Sequence, residues 1–146
     1  MLVLGANQTL QAKATEAAKI TCTVTGAVGV GGNATYKTLA QAQVAAVTGV
    51  IYESPTGKES LISQIYFCNT GANAQTVGVY LDGTEPKNQI ITLEIPKGGS
   101  ATLDGDGWQV YNSLGVQLYA GEKGEKGEKG EKGEGGGVSS WGYISA

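Results

Sequence analysis

From Gly121 onward, glycine occupies every third position through five triplets, Gly121-Glu122-Lys123 to Gly133-Glu134-Gly135, and four of the five are Gly-Glu-Lys. This is the period of a collagen triple helix, whose axis is too crowded for any residue but glycine. The constraint bears on stoichiometry as well as conformation. A chain that enters such a helix needs two partners, so the run predicts a homotrimer, with Gly121, Gly124, Gly127, Gly130 and Gly133 at the axis. Each lysine is followed, one glycine later, by a glutamate. Lys123, Lys126 and Lys129 of one chain can therefore reach Glu125, Glu128 and Glu131 of a staggered neighbour. Such exposed pairs contribute about 0–1 kcal/mol each and are screened by salt. The same composition also describes a solvated, flexible linker, and no proline in the run presets the polyproline geometry. At ~3.1 Å per residue, about fifteen residues reach ~45 Å. A rod that short needs a trimeric domain beside it to nucleate.

The remainder of the 146 residues suffices for one ordinary domain, and a 40% hydrophobic content supplies a core. The chain has no arginine and a formal net charge of −3. Nucleic-acid binders carry basic, arginine-bearing patches, so no nucleic-acid partner is expected. Histidine is absent as well, which removes the commonest general base and the commonest metal ligand. Serine and threonine are plentiful but have no histidine to activate them, and the acids sit at turns or in the triplet run. The chain is read as not an enzyme and without a cofactor. Asp104-Gly105-Asp106-Gly107 resembles part of a calcium loop, but its twelfth position is Gly115 rather than glutamate. An acidic turn between strands explains it without a metal, and Asp82 with Glu85 reads the same way. Gly29 to Gly32 lacks the Lys-Ser/Thr of a phosphate loop. Cys22 and Cys68 are read as two thiols, with a disulfide as the alternative. Met1 to Ala6 lacks the features of a signal peptide. No apolar stretch approaches about 18 residues, so no membrane partner is expected.

The chain divides by texture into four zones. Residues 1–48 are rich in Ala, Thr, Gln and Gly, with one aromatic residue, and read as an N-terminal arm or strand region that orders on another surface, a possible anchor. Within it, Ile20, Cys22 and Val24 alternate with threonines as in a strand, which leaves open that this stretch belongs to the main domain. Gly26 to Asn33 reads as a glycine-rich loop, and Leu39 to Val47 as a strand. Residues 49–120 carry strand-like runs every 10–14 residues, each closed by turn chemistry such as Ser54-Pro55-Thr56-Gly57, Asp82-Gly83 and Pro96-Lys97-Gly98-Gly99. That rhythm predicts an all-β domain, an antiparallel β-sandwich or jelly roll, followed by the C-terminal collagen-like triple-helix segment at 121–135. Residues 136–146 form a short aromatic tail containing Trp141 and Tyr143.

The stretch from about Lys58 to Gly115 resembles β-sandwich modules of tailed-bacteriophage virion proteins. The resemblance is carried by Ser60-Leu61-Ile62-Ser63-Gln64-Ile65-Tyr66-Phe67-Cys68-Asn69-Thr70-Gly71, Thr76-Val77-Gly78-Val79-Tyr80-Leu81-Asp82-Gly83, Ile95-Pro96-Lys97-Gly98-Gly99-Ser100 and Gly107-Trp108-Gln109-Val110. It implies a structural protein located in the virion and assembled in the host cytoplasm. The leading expectation is a trimeric capsid decoration protein or head fibre, whose partners are its own copies and the major capsid protein or another virion protein. A tail or baseplate fibre component contacting the host is the alternative. A carbohydrate-binding module, with Trp108, Tyr111 and Tyr52 as candidate contacts to a host-surface glycan, is the second alternative; core packing is the competing role for these rings.

Overall fold

The computed structural model describes residues 2–30 and 33–121. They form two antiparallel sheets packed face to face, an all-β sandwich. The strands are β1 (Leu2–Leu4), β2 (Thr9–Ala14), β3 (Ile20–Val30), β4 (Asn33–Gln43), β5 (Gly49–Glu53), β6 (Glu59–Asn69), β7 (Gln75–Leu81), β8 (Gln89–Ile95), β9 (Ser100–Asp104), β10 (Gly107–Tyr111) and β11 (Gln117–Gly121). The larger sheet has the order β11-β10-β9-β6-β3-β4, and the smaller has β5-β2-β7-β8. β1 joins the larger sheet beside the first half of β6, with Leu2 opposite Ile62. β9 takes the second half, with Asp104 opposite Gln64.

The connectivity is a set of ribbons that cross from one sheet to the other. β2–β3 lies against β6–β7, since β2 pairs with β7 and β3 with β6. β4–β5 flanks this pair on one side and β8–β9 on the other. The first and last strands do not pair with each other, as they would in a jelly roll; β1 pairs with β6 and β11 with β10.

Alternation fills the core. Ile20, Cys22 and Val24 of β3, Leu10, Ala12 and Ala14 of β2, and Val77 and Val79 of β7 all point inward and are buried with Phe67, Ile65, Leu93 and Ile95. Each large side chain so placed contributes about 1.5–3 kcal/mol relative to exposure. The expected division at residue 48 is therefore not a boundary. β2 and β3 are interior strands of the two sheets, and the scattered apolar residues of 1–48 are the inward halves of strands that residues after 49 complete. An arm lying on a foreign surface does not describe this segment.

The glycine-rich stretch after Gly26 also differs from the expected loop. β3 runs on to Val30 and β4 starts at Asn33. A row of β-bulges hides this continuity in the sequence. On β6, Thr25 faces Gln64 but Gly26 faces Ile62, leaving Ser63 as the extra residue; its hydroxyl donates to the Thr25 carbonyl at 3.1 Å. On β4, Val24 faces Ala40 but Thr25 faces Thr38, leaving Leu39 extra. A bulge reverses which face the following residues point to. Hence Ser60 and Ile62 are buried on one side of it, and Ile65, Phe67 and Asn69 on the other. Gly26 sits where these strands approach most closely: a Cβ there would lie 1.9 Å from the Leu61 carbonyl oxygen.

Candidate functional site

Of the residues expected at the collagen axis, Gly124, Gly127, Gly130 and Gly133 lie outside the described residues, as do Lys123, Glu125, Lys126, Glu128, Lys129 and Glu131. The tail at 136–146 lies outside them too. Gly121 is described. It is the last residue of β11, paired with Trp108 of β10. A Cβ on it would come within 2.5 Å of the Trp108 indole. The sandwich therefore already favours glycine at 121, independently of the triplet period.

The surroundings of Gly121 tie the two sheets together. Trp108 packs against the core and meets Tyr119 edge-on, with ring centroids 6.0 Å apart. The Tyr119 hydroxyl donates to the Glu94 backbone carbonyl on β8 of the smaller sheet. Burial first, then the negative charge of Glu94, raises the Tyr119 pKa above its ordinary value.

β11 is an open edge. Its approach loop is closed by Asn112, whose side-chain oxygen accepts hydrogen bonds from the Leu114 and Val116 amides at 2.9 and 3.0 Å. This Asx-type turn holds Leu114 out in solvent, 85% exposed, with Val116 at 56% and Leu118 at 44%. Among the described residues, β4 and β11 end the path of the larger sheet, β5 and β8 end the smaller, and the three-residue β1 (Leu2–Leu4), paired only with β6, is a further uncharged edge. β4 carries Lys37, β5 carries Glu53 and β8 carries Glu94, whereas β11 carries no charge.

The middle of the outer face of the larger sheet is polar and uncharged, with Asp104, opposite the exposed Gln64, at its margin. Two rows cross all six strands, from Gln43 and Gln41 on β4 to Gln117 and Ala120 on β11. They contain Thr, Gln, Ser, Tyr, Cys and Ala. Tyr111 is in one row, while Trp108 and Tyr52 face inward; the Tyr52 hydroxyl lies 2.8 Å from the Ser60 hydroxyl. Cys68 is in a row as well. Cys22, one strand away and buried, points to the opposite face, and both are free thiols. Burial pushes the Cys22 thiol up to about 12.

On the outer face of the smaller sheet, Gly78 forms part of the lining of a depression of about 220 Å³, together with Lys13, Thr76, Tyr80, Gln89 and Thr92. Asp104 and Asp106 belong to the tight β9–β10 turn, where the Asp104 carboxylate accepts the Asp106 amide at 2.9 Å. Among the described residues no three His, Cys, Asp or Glu side chains converge on a point where a metal would sit.

Two buried polar groups were not singled out from the sequence. The Asn69 side-chain nitrogen lies 2.9–3.1 Å from the carbonyls of Asn73, Ile95 and Pro96, while its oxygen accepts the Gly71 amide. Gln75 exchanges two hydrogen bonds with Glu16, one to its backbone and one to its side chain. Asparagine followed by Thr-Gly at a strand end was the available signal for the first. No protein-family model, curated protein or solved structure matches the chain.

Proposed function

We propose that this chain is a homotrimeric structural protein of a tailed-bacteriophage virion, a capsid decoration protein or head fibre. In this reading the sandwich binds the major capsid protein or another virion protein, and the triplet run projects as a collagen-like rod. The observation that carries the reading is the continuity of the chain. The glycine period begins at the last residue of β11 with no linker between, so an oligomerising segment issues directly from a sheet edge. The shell-binding role expected of residues 1–48 passes instead to the two uncharged rows on the outer face of the larger sheet, whose Thr and Gln side chains offer hydrogen bonds without needing opposite charges.

The test is to add purified protein to empty capsid shells and image them. Threefold density on the shell, retained in high salt because no ion pairs are screened, supports the decoration reading. Density confined to the tail supports the fibre alternative. The depression around Tyr80 favours a second reading, a carbohydrate-binding module, because it sets an aromatic ring beside Lys13, Gln89 and three threonines. A glycan-array signal lost in Tyr80→Ala would support that reading, and an array without signal would dismiss it.

A further inference from the structure

We propose that the β11 edge, with Leu118 on the strand and Leu114 and Val116 on the loop before it, converges with its counterparts in two other copies of this chain around the trimer axis. The inference rests on the trimeric reading and adds where the sandwiches meet. Three observations carry it. First, β11 carries no charged side chain, unlike the sheet-ending strands β4, β5 and β8; the other uncharged edge, β1, is only three residues long. Open edges left flat and apolar pair promiscuously unless something covers them. Second, the three large aliphatic side chains at this edge are 44–85% exposed, and the Asn112 turn holds two of them in place. Third, the chain leaves the sandwich here. Gly124 is three residues beyond Gly121, a distance of at most about 11 Å. In a trimer whose glycines share an axis from Gly124, each β11 ends within that distance of the axis. A tether so short holds the edges at effective concentrations in the millimolar range or above, where a small apolar contact is populated.

Symmetry gives the contact its form. Two β11 strands could pair as an antiparallel ladder only about a twofold axis, whereas a threefold axis makes the contacts heterologous and closes them after three copies. The edges therefore meet through side chains, with Leu118 nearest the chain exit.

The experiment uses the full chain in a Cys68→Ser background. Leu118→Cys, treated with a short bismaleimide, is expected to yield a covalent dimer as the main product, because three thiols around one axis join in pairs. Val47→Cys, exposed on the β4–β5 connection at the opposite edge, is expected to stay uncrosslinked. A native trimer in which Cys at 118 crosslinks no better than Cys at 47 overturns this inference and leaves the trimeric reading standing. A wild-type monomer at micromolar concentration overturns the trimeric reading itself, and a native dimer overturns both. As a second measurement, Leu114→Lys with Leu118→Lys is expected to raise the concentration at which trimers dissociate at least tenfold with an unchanged circular dichroism spectrum. Dissociation at the wild-type concentration counts against the proposal.

Discussion

The two ends of the larger sheet are protected in different ways. β4 is long, bears Lys37, and is re-aimed by the row of bulges at Leu39 and Ser63. Those are the devices by which an edge refuses partners. β11 is short and carries Leu118, Tyr119 and Ala120 with no charge. One edge is built to stay alone and the other is left open where the chain departs toward its glycine period. The difference is local chemistry on a common frame, since both strands hang from the same β3–β6–β9 centre.

The largest expected effect breaks the β4 side. Gly26→Ala sets a methyl group 1.9 Å from the Leu61 carbonyl oxygen, and backbone cannot yield as a side-chain tip can. Destabilisation of about 4 kcal/mol or more is expected, read as a lower urea midpoint or failure to fold. Near-wild-type stability would mean that the bulge row is not rigid.

Alkaline titration comes next and touches both sides. Cys22 lies on β3 behind β4, and its thiol is held at about 12 against an ordinary 9.0. A raised folded-state pKa means the folded protein binds the proton more tightly. The stabilisation is complete below pH 9 and is lost as pH rises toward 12, at roughly 1.4 kcal/mol per pH unit. Tyr119 is shifted upward too and adds a loss of the same sign above its own ordinary value. Urea midpoints between pH 8 and 11 are expected to fall, and Cys22→Ala to flatten the decline.

A smaller effect probes β11. Gly121→Ala drives a methyl group into the Trp108 ring, and a half-buried indole can shift, so a cost of about 1–3 kcal/mol is expected. The check is whether the melting temperature falls together with a change in the near-ultraviolet spectrum. Smallest in free energy is Lys37→Leu, expected to stay within about 0.5 kcal/mol of wild type. It removes the charge guarding β4, so aggregation measured by light scattering is expected to rise. Unchanged aggregation would mean that the bulges alone protect that edge.

Strands from β5 to β10 were legible because alternating side chains stop at recognisable turns, as at Pro96-Lys97-Gly98-Gly99. In the N-terminal third, Ile20, Cys22 and Val24 were legible as a strand, but the division at 48 and the loop at 26–33 were misread, for two physical reasons. Several inward residues of that third are small, Ala12, Ala14 and Ala27 among them, so the alternation gives uneven hydrophobic contrast. The bulge at Ser63 then reverses alternation midway along β6, and the glycines that permit close approach at Gly26 look like loop residues. The expected sugar contacts divided likewise: periodicity cannot say that Tyr52 and Trp108 face the core while Tyr111 faces solvent. Gly121 was claimed by the period of three, and nothing in a sequence shows that an indole needs the same glycine.

That shared glycine has an optical consequence. Trp108 touches the backbone where the sandwich hands the chain over to the triplets, so its emission depends on how that backbone is held. With Trp141 replaced by phenylalanine, Trp108 becomes the sole indole in the chain. Its fluorescence then serves as a gauge seated at the junction, able to register a pull on the C-terminal segment and to test the proposed assembly without any added label.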